Sequence, residues 1–233
     1  MKKSLTILLL LFSFLLFACR GEEEAIIEEE VPQEEIIEEE VVEETACEDS
    51  FIDERDGQEY CIVEIKEKVW MAENMRYDNE CTDADWRSNI DGGWCGCYEE
   101  DDENCEKYGK LYQWNAAVEI CPEGWRLPTD KEWGELVSSL GSNPATKLKT
   151  DKYESFIGEN TVGFNALPGG SRTPSGGFQN LETNAYFWSS DESSDTRAWA
   201  RHLITTHSGV YRLALEKAFG FSVRCVQDEV QDL

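Results

Sequence analysis

The spacing of apolar positions changes several times along the chain, and each change predicts a different kind of segment. A nearly unbroken apolar run fills residues 4–17 behind Lys2 and Lys3. With its basic start it is shorter than the roughly 20 apolar residues a membrane span needs. It reads as a secretory leader over residues 1–18. Residues 22–44 then set acidic pairs and triplets around Ile26-Ile27, Ile36-Ile37 and Val41-Val42. With Val31 between the first two, these apolar positions recur every five residues, which fits neither the helical period nor the strand period. Pro32 interrupts any long helix, and like charges extend the chain. Residues 19–49 are therefore expected to be a disordered acidic stalk.

From residue 50 to 228 the pattern is that of one globular domain. Residues 51–65 alternate around Asp56-Gly57, a hairpin signal. Val69-Trp70-Met71 is a further short apolar piece. Residues 81–105 are rich in Asp, Glu, Asn, Gly and Cys and read as a stapled loop excursion. Leu111, Trp114, Asn115, Val118 and Cys121 approach helical spacing, which predicts a first helix over 109–120, ended by Pro122. Thr129 with Glu132 forms a capping box for a second helix whose buried face is Trp133, Leu136, Val137 and Leu140, stopped by Gly141. Residues 185–189, 197–204, 210–215 and 219–226 alternate like antiparallel strands. Hairpin, two helices and then strands predict an α+β domain with two helices packed on an antiparallel sheet.

Charge and cysteine content narrow the setting. The formal net charge is -28, and residues 22–49 alone carry 15 acidic and no basic residues. Such a chain disfavours nucleic acid, whose phosphates need a basic face. Leu16-Phe17-Ala18-Cys19 resembles a bacterial lipobox, in which the cysteine is acylated. That resemblance implies a lipid anchor at Cys19 and membrane attachment through it. Arg20 at the next position, followed by Gly21 and three glutamates, fits an outer-membrane lipoprotein facing outward. Of nine cysteines, eight remain after Cys19: Cys47, Cys61, Cys81, Cys95, Cys97, Cys105, Cys121 and Cys225. An even set in an exported chain predicts disulfides. Spacing alone pairs Cys97 with Cys105, and more weakly Cys47 with Cys61 and Cys81 with Cys95.

The runs Tyr108-Gly109-Lys110-Leu111-Tyr112-Gln113-Trp114-Asn115 and Cys121-Pro122-Glu123-Gly124-Trp125-Arg126-Leu127-Pro128 resemble the Fibrobacter succinogenes major paralogous domain family. So do Val69-Trp70-Met71-Ala72-Glu73-Asn74, Phe164-Asn165-Ala166-Leu167-Pro168-Gly169-Gly170, Phe187-Trp188-Ser189-Ser190 and Gly220-Phe221-Ser222-Val223-Arg224-Cys225. The resemblance extends over about residues 52–227. It implies a C-type lectin-like fold, related to that of formylglycine-generating enzymes, and a bond between Cys121 and Cys225. It implies no activity, so function has to come from the site.

No GxSxG elbow, HExxH, P-loop or dinucleotide fingerprint occurs. His202 and His207 lie five apart on strand-like sequence and should face opposite ways, which leaves no shared metal. Ser189, Ser190 and Asp191 read as a turn. The chain is expected not to be an enzyme and to carry no cofactor. Hard oxygens for calcium are present at Asp83, Asp85 and Asp91, or Asp191, Glu192 and Asp195. The Glu-Pro-Asn and Trp-Asn-Asp triplets of sugar-binding C-type lectins are absent. Trp86, Trp94 and Tyr98, set among Asp83, Asp85, Asn89 and Asp91, have the composition of a sugar contact; the alternative is that these rings plug the loop onto the body. Trp70, Trp114, Trp125, Trp133, Trp188 and Trp199 read as core. The expected function is a binding or adhesion module for polysaccharide or another surface partner. The alternatives are a structural assembly component and, further off, an enzyme of the formylglycine-generating type.

Overall fold

The computed structural model describes residues 47–77 and 93–228, all within one compact unit. Strands β1 (Asp49–Ile52) and β2 (Glu59–Ile65) form the expected hairpin. Its turn is built by Asp53 as much as by Gly57. Asp53 accepts from the backbone and guanidinium of Arg55, and the Gly57 amide donates to the Asp53 carbonyl at 2.7 Å. β3 (Lys68–Met71) continues the meander. The last strand, β12 (Val226–Gln227), lies between β3 and β6 (Trp125–Arg126), giving the order β1-β2-β3-β12-β6. The two ends of the domain therefore meet in one sheet.

Two short strands, β4 (Cys95–Gly96) and β5 (Leu111–Tyr112), pair with each other. Between them runs α1 (Asp102–Tyr108), capped by Asp101. The helix expected over 109–120 is not formed. Gly109, at φ +77°, ends α1, and a Cβ there would lie 2.5 Å from that of Asn74. Tyr112 then exchanges backbone hydrogen bonds with Phe221, leaving only the single turn α2 (Trp114–Ala117). The apolar spacing was real, but strand pairing used it.

The second helix is present as α3 (Asp130–Ser139), with Thr129 as N-cap and both bonds of the capping box. Trp133, Leu136 and Leu140 face the core, and Gly141 follows at φ +64°. A short α4 (Pro144–Leu148) comes next. β7 (Gly169–Arg172) and β8 (Phe178–Leu181) form a hairpin. β9 (Asn184–Ser194), β10 (Arg197–Ile204) and β11 (Tyr211–Glu216) form a sheet in the order β11-β10-β9. The cluster Ser189-Ser190-Asp191 lies inside β9, not in a turn.

β9 and β10 divide the interior because alternate side chains point to opposite faces. Tyr186, Trp188, Ala198 and Ala200 join one cluster with Tyr112, Phe221 and Cys225. Ala185, Phe187 and Leu203 join the other, with Trp70, Trp133 and Phe164. Residues 220–226 are buried throughout. They form no single strand, because they change partner along their length. Phe221 pairs with Tyr112, Ser222 donates to Tyr186, and the Val223 and Cys225 carbonyls accept from Met75 and Met71. Trp125 and Trp199, expected in the core, are half-buried. Trp125 stacks on Phe51 at 4.5 Å, and the Arg212 guanidinium covers Trp199.

Disulfides join Cys121 to Cys225, Cys97 to Cys105 and Cys47 to Cys61. Cys95 is also disulfide-bonded; Cys81, its expected partner, lies outside the described residues, as do Cys19 and most of the stalk. The Cys121–Cys225 bond closes a sequence separation of 104. In the chain-entropy model such a closure contributes about 4–5 kcal/mol. No helix among the described residues is long and apolar enough to cross a membrane.

Candidate functional site

The aromatic contact expected at Trp94 and Tyr98 is not exposed. Each is 7% accessible and packs with Leu111 against Phe178 and Leu181. The Arg172 guanidinium lies 4.0 Å from the Trp94 ring, and Tyr98 meets Phe178 at 5.0 Å. The flanking disulfides and the β4–β5 pair draw this segment onto the body, so composition that suited a sugar face serves packing instead. Trp86, Asp83, Asp85, Asn89 and Asp91 lie outside the described residues.

The remaining candidates are largely engaged in the fold. Asp191 accepts from the Asp130 amide at 2.6 Å, and Glu192 pairs with Lys217 at 2.5 Å. Among the described residues no group of three His, Cys, Asp or Glu is placed to hold a metal. Ser189 donates to the Trp199 carbonyl at 3.0 Å. His202 stacks on Tyr186 at 4.2 Å, and His207 meets the Tyr211 hydroxyl at 2.5 Å. Both imidazoles approach Tyr211, because β10 ends at Ile204 and the chain turns before His207. Strand alternation therefore does not reach His207. Burial lowers the His202 pKa to about 4, with a smaller push from His207.

A set of converging polar groups lies elsewhere, where the exit of β3, α1 and the loop after α4 come together. They enclose a cavity of about 370 Å³ lined by Glu73, Asn74, Lys107, Lys152, Tyr153 and Asn165, among others. A second cavity of about 570 Å³ shares Glu73, Lys152 and Asn165 with it. A third, of about 640 Å³, shares Arg76 and Glu106. The middle cavity shares different residues with each neighbour, so the three lie side by side in a groove-like row. Volumes of this order suit small ligands or successive units of a chain.

The groove floor rests on a buried polar network. Arg224 is fully buried, and its guanidinium donates to Asn74 Oδ1 at 2.6 Å and to the carbonyls of Met71, Phe164 and Asn165. All four acceptors are uncharged. Loss of water lowers its pKa to about 9, partly offset by Glu73, so it remains a cation at neutral pH. Asn74 spends its own amide on the Tyr108 carbonyl at 2.7 Å and on Ser222 Oγ. Glu73 accepts from the Cys61 amide at 2.7 Å and from Arg76 at 3.0 Å. On the rim, the Lys107 ammonium pairs with Glu182 at 3.3 Å and sits over the Tyr108 and Tyr153 rings. Asn165 holds a left-handed backbone at φ +51°, and its side-chain Oδ1 is buried without a hydrogen-bond partner.

These groove residues were missed in the sequence. Asn74, Asn165 and Arg224 stand inside the repeated family blocks, but 150 positions separate Asn74 from Arg224. The only local signal was a cationic residue within an otherwise apolar final segment.

The fold and groove define an α+β, disulfide-bonded domain with a polar surface trough. The family model of the Fibrobacter succinogenes major domain matches residues 63–227, well over half of the chain. The chain belongs to that family. No curated protein and no solved structure matches it.

Proposed function

We propose that this protein is an outer-membrane lipoprotein, anchored through Cys19, that displays a non-catalytic module binding polysaccharide along the groove. The observation that carries the reading is the groove itself. It is polar, lined by Tyr77 and Tyr153 among others, and floored by a fixed hydrogen-bond network. An extended sugar chain presents hydroxyls with apolar ring faces between them, which polar groups flanked by tyrosine rings can meet. The C-type lectin-like fold is part of the proposal. It is supported by the meeting of the domain ends in one sheet, the Cys121–Cys225 bond and the glutamate-bearing α3.

Pull-down of the full-length protein on a panel of plant and bacterial polysaccharides tests the binding. Retention on at least one polymer, reduced by Lys107→Ala, a half-exposed rim residue, without a change in melting temperature, is the expected result. Fatty-acid labelling of cells making wild type and Cys19→Ser tests the anchor, and label retained in the variant would refute it. Surface proteolysis of intact cells tests the outward orientation.

A further inference from the structure

We propose that the outer edge of β11 is a self-association surface, pairing with β11 of a second copy of this chain in an antiparallel register centred on Ala214. The surface is separate from the groove, and its use does not depend on polysaccharide binding.

Three observations converge on it. The first is an open edge. β11 is the end strand of the order β11-β10-β9 and has no second neighbour among the described residues. The Lys217 amide donates to the Thr196 carbonyl at 3.0 Å, which fixes the parity of the ladder. Tyr211, Leu213 and Leu215 therefore turn their backbone groups to β10, and Arg212, Ala214 and Glu216 turn theirs outward. The outward amides donate to nothing among the described residues. The Ala214 carbonyl accepts from the exposed Arg197 guanidinium at 3.3 Å, and the Glu216 carbonyl accepts from the Phe219 amide at 3.0 Å. Each keeps a second lone pair. Such a row of open backbone groups is a template for another strand.

The second is the sequence of the strand. Arg212-Leu213-Ala214-Leu215-Glu216 reads the same in both directions, except that its ends carry opposite charge. Turned about Ala214 onto a second copy, it sets Arg212 against the partner's Glu216 on one face and Leu213 against the partner's Leu215 on the other. Outward backbone groups can bond only to outward ones. Of the registers this allows, the one centred on Ala214 pairs all the outward residues and opposes unlike charges. Shifts to either side pair fewer, and end on arginine against arginine or glutamate against glutamate.

The third is the availability of the side chains. Glu216 is exposed and makes no ion pair among the described residues. Arg212 is exposed and lies over Trp199. It reaches Asp130 through Nε alone, a carboxylate it shares with Arg201, and its terminal nitrogens make no hydrogen bond among the described residues. On the other face Tyr211 is 41% exposed and Leu213 belongs to no core cluster. Pairing covers apolar surface there. The net charge of -28 opposes approach of two copies, so the association is expected to be weak.

The test is sedimentation equilibrium of the full-length protein across a dilution series, together with amide hydrogen exchange. The N-terminal apolar run is common to every variant, so association through it is unmoved by the substitutions. Wild type is expected to show a monomer–dimer equilibrium. Glu216→Arg should weaken it about tenfold to thirtyfold, because like charges then meet at both ends of the pairing. Arg212→Glu should do the same, and an equimolar mixture of the two variants should associate again, since unlike charges are restored between different chains. The amides of Arg212, Ala214 and Glu216 should be protected at high concentration and open on dilution, while those of Leu213 and Leu215 stay protected throughout. Melting temperatures check that the variants fold. Glu216 has no partner in its own chain, so Glu216→Arg keeps the test decisive if Arg212→Glu does not fold. A monomer at every concentration overturns the inference; protected outward amides would then show that a segment of the same chain covers the edge. A dimer that both variants leave intact places the association elsewhere and overturns it. Loss in both folded variants without recovery in the mixture overturns the antiparallel register.

Discussion

Two adjoining regions of the interior, which meet where the Arg224 guanidinium lies over the Phe164 ring, solve burial differently. Under α3 the interior is dry and aromatic, with Trp133 fully buried against Trp70, Phe164 and Phe187 at ring distances of 5.1–5.8 Å. Under the groove the interior is polar, with Arg224 and Asn74 tying β3, the 164–165 loop and the final segment together. Aromatic packing is non-directional and tolerates small shifts of shape. A guanidinium with four short bonds to named acceptors tolerates almost none. The dry side supplies stability, and the polar side fixes the positions of the groove walls.

Breaking each side should expose that difference. The largest effect is expected for Arg224→Met, about 5 kcal/mol, because four buried acceptors lose their donor at once. Denaturant unfolding measures it, and Arg224→Lys should recover little, since a point charge cannot reproduce the fork. Trp133→Ala is expected to cost about 4 kcal/mol through the cavity it leaves. Here Trp133→Phe should recover a large part of the loss, although it forfeits the indole bond to the Trp188 carbonyl. Equal rescue by the conservative variants at both positions would erase the contrast.

Acid separates the two sides further. Burial alone would raise the Glu132 pKa, but bonds from Arg126, the Thr129 backbone, Lys68 and the Thr129 hydroxyl hold it well below its ordinary 4.5. Its contribution is complete above that value and is lost as the pH falls beneath it. Glu132→Gln should therefore remove about 2 kcal/mol near neutral pH and flatten the acid limb of a stability-against-pH curve. The Arg224 network has no hydrogen-bonded carboxylate and should contribute little to that limb. The smallest effect belongs to His202. Its pKa falls from 6.5 unfolded to about 4 folded. Between those values the unfolded chain binds a proton that the native chain does not, so stability drops as the pH falls through that window. His202→Phe keeps the stack on Tyr186 and should flatten the slope there, read from urea midpoints.

The local devices were legible in the sequence: the Thr129–Glu132 box, the Asp53–Gly57 turn region and the β10–β11 alternation are each set by a few adjacent residues. So was the family, through several sequence blocks in a fixed order. Residues 109–120 were not, because helical spacing and alternating strand contacts can produce the same short apolar pattern. Trp94 and Tyr98 could be read either as a sugar contact or as rings packing the loop onto the body, since polar neighbours say nothing about what folds over a ring.

The sequence by itself determined the α+β class, the second helix with its cap, and the cysteine count that commits the domain to disulfides, because these follow from neighbours along the chain. Only the tertiary structure decided where the groove lies and which cation supports it. Asn74, Asn165 and Arg224 meet through the insertion of the last segment between β3 and the 164–165 loop, and hydrogen bonds across that distance leave no period in the sequence.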